Sequence, residues 1–513
     1  MRQHRQLGVL LLTGLVLLLG LVQARHELGS SGVEIERFRL ADAFNTPAIR
    51  FLPPAEKRSG VVAVLVHGHE CNKAMMAQLA RFLAAGGVDA YAIDLPGHGE
   101  SLQAFSDNLG RQATEAAVAN IVERTGGAVE KLVLVGHSFG AEALGPAAVR
   151  RDLLATVFIG PGKPEGLSRR LPNNALIVTA EHDYPYIKQD AQAMYADLTA
   201  RDSRPAGNLV GDFRLKDARL WEEIPQATHL SLLFDQRVHR LVALWIERSG
   251  AGSMRVQSAY AMGPALRAAA LALALVLVLT ALAASTLSAL RTTPTRDPAG
   301  HWAPAAIATM AGVYFSELMI NGLLPLGYAQ FAERDILVAH LGATGVLGIV
   351  FLASMGGAIS FRCAAIDLAA AALALLALYG LTLLTIDAEF YSLRITYGSA
   401  KNLATLALAA LLALPIFLLQ DELLRRLQGR HDRGVRGFVV YCAGCLALAV
   451  LFCASLHFVD ARLYRFNAEI LAGSAYCAVA GAILRAYLKN GYAAVWFSAL
   501  VAGWVISVGF LHS

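Results

Sequence analysis

The sequence predicts two folds in one chain, a doubly wound α/β domain with a mostly parallel sheet followed by an all-α polytopic membrane domain. Three observations predict this division. Hydrophobic residues make up 56% of the 513 residues and charged residues only 16%, which is too apolar for a wholly soluble protein. Apolar runs of strand length alternate with helical patterns up to about residue 250. From about residue 265, long apolar blocks alternate with short polar connections.

The chain begins with a basic segment and an apolar run. The run extends from Leu7 to about Val22, and Val22-Gln23-Ala24 has the small-residue pattern of a signal-peptidase site. Residues 1–24 are therefore predicted to be a signal peptide or an uncleaved signal anchor. Either outcome exports the segment that follows.

Residues 25–250 show the alternation that a parallel sheet requires. Residues 61–66 form a continuous apolar run, which is typical of a strand buried on both faces. A helical pattern follows at 75–83 and ends at Gly86-Gly87, a candidate C-cap. Further strands are predicted at 90–94, 131–135, 156–159 and 175–179, with a helix at 111–123. Repeated βα units of this kind predict a doubly wound sheet.

The most informative motif is a G-x-S-x-G segment in which Gly136 and Gly140 flank Ser138. An apolar strand precedes it and an alanine-rich, helix-favouring segment follows, which is the context of a nucleophile elbow. The turn is so tight that a Cβ two positions from the serine would collide with its neighbours. The turn also lifts the hydroxyl above the carboxyl edge of the sheet. Ser138 is therefore the candidate nucleophile, and an ordinary Gly/Ser turn is the alternative.

A serine hydroxyl needs a base that takes its proton and an acid that orients this base. In a doubly wound hydrolase these groups follow the serine, the acid first and the histidine second. Asp183 comes just after a predicted strand and is the candidate acid, with Glu181 in reserve. His229 lies in a loop before the last apolar helix of the domain and is the candidate base. His182 and His239 are the alternatives, and His239 fits a helix face better.

The negative charge of a tetrahedral intermediate needs two N–H donors aimed at it. One candidate for this oxyanion hole is the backbone N–H of Phe139, the residue after the nucleophile. The other is the backbone N–H of His69, in the loop after the first buried strand. Gly68 in this loop lets the backbone approach the substrate. For His67, a loop-stabilising hydrogen bond is the preferred interpretation.

Five segments of this half follow one another in a recognisable order: VLVHGHE, AIDLPGHGES, LVGHSFG, VTAEHD and ATHLSL. In that order they resemble the α/β-hydrolase superfamily over about residues 60–248, and most closely its lysophospholipase and monoacylglycerol-lipase-like branch. The resemblance implies that Ser138, Asp183 and His229 are the triad of a serine esterase.

The same resemblance implies two further features of the site. A structural turn beside it is formed by Asp94, Gly97, His98 and Gly99. Many relatives insert a helical lid between the strands that end here at Ile159 and begin at Ala175. Only about 15 residues separate these positions in this chain. The resemblance therefore implies an open, shallow site.

Residues 265–513 are predicted to form a membrane domain of about eight transmembrane helices, joined to the hydrolase domain by a polar linker at 251–264. The apolar blocks lie near 265–290, 303–329, 336–359, 364–386, 402–420, 437–459, 466–488 and 491–511. Alternate loops fall on opposite sides of the membrane, and the arginine-rich loop at 421–437 falls on the cytoplasmic side. The positive-inside rule thus favours a bacterial inner-membrane protein with an extracytoplasmic hydrolase domain.

Ionisable residues in or beside apolar blocks are costly and favour a functional hypothesis. Asp421, Glu422, Arg426 and the later His457 resemble part of the motif of CPBP intramembrane CAAX-type proteases. The second histidine of that family and its asparagine have no counterpart at the expected spacing, so the resemblance implies an inactive relative. The alternative is that the two carboxylates end a helix and pair with Arg425 and Arg426.

The charge distribution and the cysteines do not indicate a nucleic-acid partner, a cofactor or a metal site. The net charge is +5, but the arginines cluster at the ends of apolar blocks, where membrane orientation explains them. Cys71 is the only cysteine of the soluble half, which excludes an internal disulfide there. Cys442 and Cys445 form a C-x-x-C inside an apolar helix and are interpreted as small packing residues.

The predicted function is that of a membrane-tethered serine hydrolase acting on a small-molecule or lipid ester. An alternative places the function in the membrane domain, as a binding or transport module or a degenerate intramembrane protease with an accessory hydrolase domain.

Overall fold

The computed structural model folds into two compact units. It describes residues 2–29, 32–69, 71–126, 129–149, 152–199, 207–252, 262–288, 302–322, 334–356, 359, 365–385, 400–428, 435–459, 467–488 and 492–508. One unit is residues 22–268, and the other joins residues 1–21 to the C-terminal helices. Most of the predicted linker, residues 253–261, lies outside the described residues, as does Glu70 in the loop predicted to hold the oxyanion.

A first helix, α1 (Arg2–Gly29), precedes an eight-stranded sheet. The strands are β1 (Glu34–Arg39), β2 (Pro47–Leu52), β3 (Val62–Val66), β4 (Asp89–Ile93), β5 (Leu132–His137), β6 (Ala155–Ile159), β7 (Ala175–His182) and β8 (Arg219–Thr228). Their order in the sheet is β1-β2-β4-β3-β5-β6-β7-β8. β1 is antiparallel to β2, and β2 is antiparallel to β4. The six strands β3 to β8 are parallel to one another.

The order of strands in the sheet reverses at β3, and this reversal determines where the candidate site lies. The chain passes from β3 to β4 on one side and then returns to β5 on the other side. The loops that follow β3 and β5 therefore diverge, and a crevice opens between them at the carboxyl edge of the sheet. The predicted oxyanion loop follows β3 and the predicted nucleophile follows β5, so both line this crevice.

Helices cover both faces of the sheet. They are α2 (Ala77–Ala85), α3 (Asp107–Arg124), α4 (Phe139–Val149), α5 (Pro185–Thr199) and α6 (Gln236–Ile246). Alternate residues of the central strand β3 point to opposite faces. Val64 belongs to the core under α3 and α4, whereas Leu65 belongs to the core under α2 and α6, and both are fully buried. The predicted doubly wound, mostly parallel sheet is confirmed.

Three strands of the structure were not predicted from the sequence. β8 carries charged residues and a proline, and most of its side chains are only partly buried. β7 is the only named strand beside it, and its other edge is bonded only by Gly207 and Val210 near its start, so its pattern lacks a continuous apolar run. β1 and β2 form the opposite, antiparallel edge, where β1 has no fully buried residue. Apolar runs identified the central strands and missed these edges.

The described C-terminal part is helical, with helices in the eight predicted apolar blocks. They are α7 (Met262–Ser288), α8 (Ala303–Gly322), α9 (Arg334–Ser354), α10 (Ala365–Thr385), α11 (Ala400–Gln428), α12 (Val435–Val459), α13 (Asn467–Tyr487) and α14 (Ala493–Val508). Within the described residues, four helical stretches are long and apolar enough to cross a membrane: Leu7–Ala24, Ala270–Leu287, Leu406–Leu427 and Arg436–Ser455. Shorter apolar stretches lie on α8, α9, α10 and α14.

The first helix packs on α7 in the same unit. A Cβ added to Gly20 would lie 3.3 Å from Leu271 Cδ1, and one added to Gly14 would lie 3.5 Å from Val278 Cγ1. Small residues therefore let the two helices approach closely. Several leucines and valines of α1 are exposed, among them Leu12 at 64%.

Candidate active site

Ser138 stands alone between a strand and a helix. β5 ends at His137 and α4 begins at Phe139. Ser138 has φ +53°, in the left-handed region that residues with a Cβ avoid. Its N–H donates to the carbonyl of Ile159 at 2.9 Å, which fixes the turn against the end of β6. A strained residue held in this way at the carboxyl edge of the sheet is the geometry of a nucleophile elbow.

The glycines two positions from Ser138 are required by contact. A Cβ added to Gly136 would lie 2.7 Å from the backbone of Ala141. A Cβ added to Gly140 would collide with the carbonyl oxygens of Val66 and His67 at the end of β3. The structure therefore confirms that a Cβ at either of these two positions would collide with its neighbours.

Asp183 and His229 form a hydrogen-bonded pair. Asp183 Oδ1 lies 2.7 Å from His229 Nδ1, with the Asp183 side chain fully buried and that of His229 15% exposed. The carboxylate also accepts the N–H groups of Ala180 at 3.1 Å and Tyr184 at 3.0 Å, which fix its orientation. Because an ionised carboxylate only accepts, the His229 proton is on Nδ1 and Nε2 is left as the basic atom.

Gly160 connects this pair to the nucleophile turn. It directly follows Ile159, whose carbonyl accepts the Ser138 N–H, and it has φ +50°. A Cβ added there would lie 2.9 Å from His229 Nδ1 and Cε1. The end of β6 thus touches Ser138 on one side and His229 on the other. Sequence reasoning missed Gly160, although a glycine just past a buried strand is a signal for such close approach.

The other candidate residues are engaged elsewhere. Glu181 is exposed and accepts the backbone N–H of Gln226 at 2.7 Å. His182 is an exposed residue at the end of β7. His239 is buried in α6, where its Nε2 donates to the carbonyl of Leu233 at 2.7 Å. Of these alternatives, none forms the contact that Asp183 makes with His229.

The loop after β3 runs directly against the nucleophile. A Cβ added to Gly68 would lie 2.9 Å from Ser138 Cβ. The next residue, His69, has its ring 6.0 Å from that of Phe139, between centroids. Phe139 is the first residue of α4, where N–H groups have no intrahelical partner. The two predicted oxyanion residues are therefore neighbours beside Ser138.

His67 has the predicted loop-stabilising role. Its Nε2 accepts the N–H of Leu95 at 3.2 Å, and its Nδ1 donates to the carbonyl of Gly68 at 2.7 Å. The ring is completely buried, and this burial lowers the pKa of His67 to about 4, although nearby Asp94 opposes the shift. His67 is thus a neutral link between the loops that follow β3 and β4.

The turn after β4 is organised around Asp94, as the resemblance implies. Gly97 and Gly99 have φ +76° and +52°, and a Cβ on Gly99 would meet the Asp94 carboxylate. His98 Nδ1 donates to the Pro96 carbonyl at 2.8 Å within the same turn.

Lys73 joins this turn to the oxyanion loop and was missed in the sequence. Its Nζ lies 2.5 Å from Asp94 Oδ2 and 3.2 Å from Glu100 Oε2, and the lysine side chain is 3% exposed. Its backbone N–H also donates to Asp94 Oδ1 at 2.8 Å. Lys73 and Asp94 are 21 positions apart in the chain, so residue spacing does not reveal their contact. The only indication in the sequence is a lysine at the start of an apolar helix pattern.

Replacement of Lys73 by methionine is expected to destabilise the hydrolase domain by about 3–5 kcal/mol, because Asp94 would keep a buried charge without its partner. Equilibrium denaturation of the purified chain in detergent measures this loss. Lys216→Met is the matched control, since Lys216 pairs with Asp152 at 2.8 Å with both side chains exposed. The control is expected to cost less than about 1 kcal/mol. Equal losses in the two variants would contradict a buried ion pair at Lys73.

The stability of the domain is expected to fall as the pH is lowered from about 6.5 towards 4, with His67 as one cause. The unfolded chain binds a proton on this histidine below pH 6.5, whereas the folded chain does so only near pH 4. The unfolded state therefore gains protons first, and this group removes about 3 kcal/mol of stability. Replacing His67 by asparagine should reduce the slope of unfolding free energy against pH by about one proton. An unchanged slope would contradict the prediction.

In the C-terminal unit, Asp421 and Glu422 belong to a buried ion-pair network. Arg425 contacts both carboxylates, with its Nε 3.1 Å from Asp421 Oδ2, and Arg426 Nε lies 2.8 Å from Glu422 Oε1. Arg485 of α13 adds a contact of 2.5 Å to Asp421 that the sequence did not predict. The pairing with Arg425 and Arg426 was the predicted alternative to a protease site. The side chain of His457 lies outside the described residues, so the protease resemblance stays a prediction.

A protein-family model and several solved structures match the first part of the chain. Residues 63–310 match the model of the alpha/beta hydrolase family. No curated protein matches the sequence. Similar solved structures include an α/β serine hydrolase without a lid from Xanthomonas campestris, with 15% identity, a TM-score of 0.32, and coverage of 42% of this chain and 93% of that one.

Two other similar structures have lipolytic names. A membrane phospholipase A has 14% identity and a TM-score of 0.32, with coverage of 48% of this chain and 99% of that one. The monoacylglycerol lipase of Paleococcus ferrophilus has 16% identity and a TM-score of 0.29, with coverage of 42% and 100%. The sheet order and the elbow at its centre show that the N-terminal unit has the α/β-hydrolase fold, in agreement with the family match over residues 63–310.

Proposed function

We propose that the chain is a membrane-tethered serine hydrolase that cleaves carboxylic esters through Ser138, His229 and Asp183. The observation that carries this proposal is the backbone of Ser138, which is strained at φ +53° and lies between two close glycine contacts. Gly68 brings the oxyanion loop to one side of it, and Gly160 brings the Asp–His pair to the other. Backbone strain at a point where two loops of the candidate site meet favours a functional role.

The proposed reaction has two halves. Ser138 Oγ attacks the ester carbonyl carbon while its proton passes to His229 Nε2. The oxyanion accepts the N–H groups of Phe139 and His69, and Asp183 stabilises the imidazolium. The C–O bond to the alcohol breaks, His229 protonates the alcohol, and an acyl-enzyme remains. Water then gives a proton to His229 and attacks the acyl carbon. The bond from the acyl carbon to Ser138 Oγ breaks, His229 returns the proton to Oγ, and the carboxylic acid leaves.

Apolar side chains beside His229 support an ester with an apolar acyl group, such as a lipid ester. The ring of Tyr184 lies 5.1 Å from that of His229 and stacks on Tyr186 at 5.6 Å. Tyr186 is 57% exposed, and Leu230, next to the base, is 43% exposed. Residues 160–174 hold no helix, so a helical lid does not separate these side chains from the substrate. Exposed apolar groups at an open site favour ligands that bury them.

The tether in this proposal is α1 together with the C-terminal helices. The apolar stretch Leu7–Ala24 has a mean hydropathy of 2.4, and only 11% of it is buried. A surface of this kind is stable in lipid rather than in water. We therefore favour an uncleaved signal anchor over a cleaved signal peptide. The distribution of arginines supports a bacterial inner-membrane protein with the hydrolase domain outside the cytoplasm.

Three measurements test the function and the topology. The full chain in detergent is treated with a fluorophosphonate probe, and mass spectrometry locates the adduct, which we expect on Ser138. A panel of aryl esters with short and long acyl chains should then show a burst of the phenol, as an acyl-enzyme predicts. Absence of labelling in correctly folded protein would exclude a serine hydrolase. For the topology, a reporter fused after Gly250 should be active only outside the cytoplasm.

A second candidate function lies in the membrane domain, favoured by the buried network of Asp421, Glu422 and Arg485. Ionised groups inside an apolar bundle are costly and are commonly retained for binding or transport. Joint replacement of Asp421, Glu422 and His457 by their uncharged or apolar counterparts tests it. Full retention of the cellular function would sink this alternative.

A further inference from the structure

His137 is a buried polar side chain next to the candidate nucleophile. It is the last residue of β5 and only 2% exposed. Burying an imidazole costs free energy unless its polar atoms are hydrogen-bonded. The contacts of this ring therefore decide whether it serves packing alone.

One edge of the His137 ring contacts the loop that carries the base. Its Nε2 lies 3.2 Å from the backbone carbonyl oxygen of His229. A carbonyl only accepts, so Nε2 carries the proton and donates it. The two imidazole rings are also in contact, with centroids 4.8 Å apart and planes tilted at 39° to each other.

The opposite edge of the ring faces the oxyanion loop. A Cβ added to Gly68 would lie 2.8 Å from His137 Nδ1. Among the described residues, no donor reaches this nitrogen, so with the proton on Nε2 the Nδ1 atom is a buried acceptor without a hydrogen bond. Burial, reinforced by the neighbouring His229, keeps the pKa of His137 well below 6.5. The ring therefore stays neutral and keeps its single donor when His229 carries a proton.

The loop of His229 begins at the end of β8, where Thr228 is in register with His182 of β7, and it leads into the buried Leu232 and Leu233. Ser231 and Thr228 exchange hydrogen bonds with each other, such as the Thr228 N–H to Ser231 Oγ at 2.8 Å, so these bonds are internal to the loop. Asp183 holds the side chain of His229. The contact from His137 holds its backbone.

We propose that His137 is a positioning residue that fixes the backbone of His229 against the nucleophile turn, through a hydrogen bond from its Nε2 to the His229 carbonyl. The proposal rests on the proposed function only in that His229 is the base whose position matters. Asp183 and His137 then divide the task, because one orients the imidazole and the other places its Cα. The link joins residues that are 92 positions apart in the chain.

Two variants of His137 and one matched control test the proposal in the full chain in detergent. His137→Phe keeps a ring but removes the donor, and His137→Gln restores a donor. Trp245→Phe is the control, because the Trp245 ring is buried and its Nε1 donates to the carbonyl of Asn174 at 2.7 Å, at the start of β7 rather than at the site. His137→Met is a second donor-free variant for use where His137→Phe does not fold.

The first readout is hydrogen exchange of the amides of residues 228–231, which does not depend on hydrolase activity. The donor-free variant should lose about tenfold in protection there, the value of one hydrogen bond, whereas His137→Gln and Trp245→Phe should not. The second readout is ester hydrolysis, in which kcat should fall about tenfold in His137→Phe with KM unchanged and recover in His137→Gln.

Three results would overturn the proposal: unchanged exchange in the donor-free variant, no recovery in His137→Gln, or an equal loss in Trp245→Phe. Failure of the proposed function gives a different result, since the wild-type chain would then not react with the fluorophosphonate, while the exchange measurement would still report the contact.

Discussion

Ser138→Ala is expected to abolish fluorophosphonate labelling and to lower kcat/KM for esters by at least about 10⁴-fold. The methyl group has no oxygen to form the acyl-enzyme, and His229 has no proton to take. Residual hydrolysis would come only from binding and the oxyanion donors. Ser59→Ala is a matched control, because Ser59 Oγ donates to the Gly87 carbonyl at 2.9 Å outside the site. Labelling that survives in Ser138→Ala would disprove the assignment of the nucleophile.

A companion variant separates chemistry from strain at the same position. Ser138→Gly should be as inactive as Ser138→Ala but more stable than it by about 1 kcal/mol. Glycine adopts φ +53° without the cost that alanine retains there. Thermal unfolding of the two variants measures the difference. Equal stabilities would mean that the turn relaxes on substitution, and the elbow would not be a strained one.

Asp183→Asn has the second-largest expected effect, a fall in kcat of about 10⁴-fold. In the wild-type chain, the Asp183 carboxylate accepts a hydrogen bond from His229 Nδ1, with 2.7 Å between Oδ1 and Nδ1. An amide can instead donate to Nδ1, which moves the ring proton to Nε2 and removes the lone pair that must take the serine proton. The amide nitrogen also replaces the oxygen that accepts the Tyr184 N–H, so a loss of about 1 kcal/mol of stability is expected beside the loss of activity.

Glu181→Gln is the control for this effect. Glu181 lies two residues earlier and is exposed, with its carboxylate on the Gln226 N–H. Its loss should change kcat by less than about threefold, since exposed interactions contribute little. A larger loss in Glu181→Gln than in Asp183→Asn would reverse the assignment of the acid.

The centre of the sheet could be predicted from sequence because burial on both faces leaves a continuous apolar run. β3 and β5 carry such runs, and the oxyanion loop and the elbow follow directly from their ends. The edge strand β8 could not be predicted in this way, because its partly buried positions hold charged residues. The site is therefore more visible in the sequence than the sheet edges that frame it.

Contacts between distant loops were beyond reach of sequence patterns. The sequence favoured Asp183 and kept Glu181 in reserve, but it did not show the contact with His229, because β7 extends to His182 rather than ending at the predicted Thr179. Lys73 meets Asp94 only because the loops after β3 and β4 meet at the edge of the sheet. Such pairings are set by tertiary geometry, and spacing along the chain does not record them.

The position of the hydrolase unit between α1 and α7 has a consequence for how substrate is found. With apolar stretches at residues 7–24 and 270–287, the unit is bounded at both ends by helices fit for lipid. Under the proposed topology, two anchor points confine the domain to a thin layer beside the bilayer. Encounter with a lipid ester then becomes a search in two dimensions at a high effective concentration, and a free ester gains nothing from it.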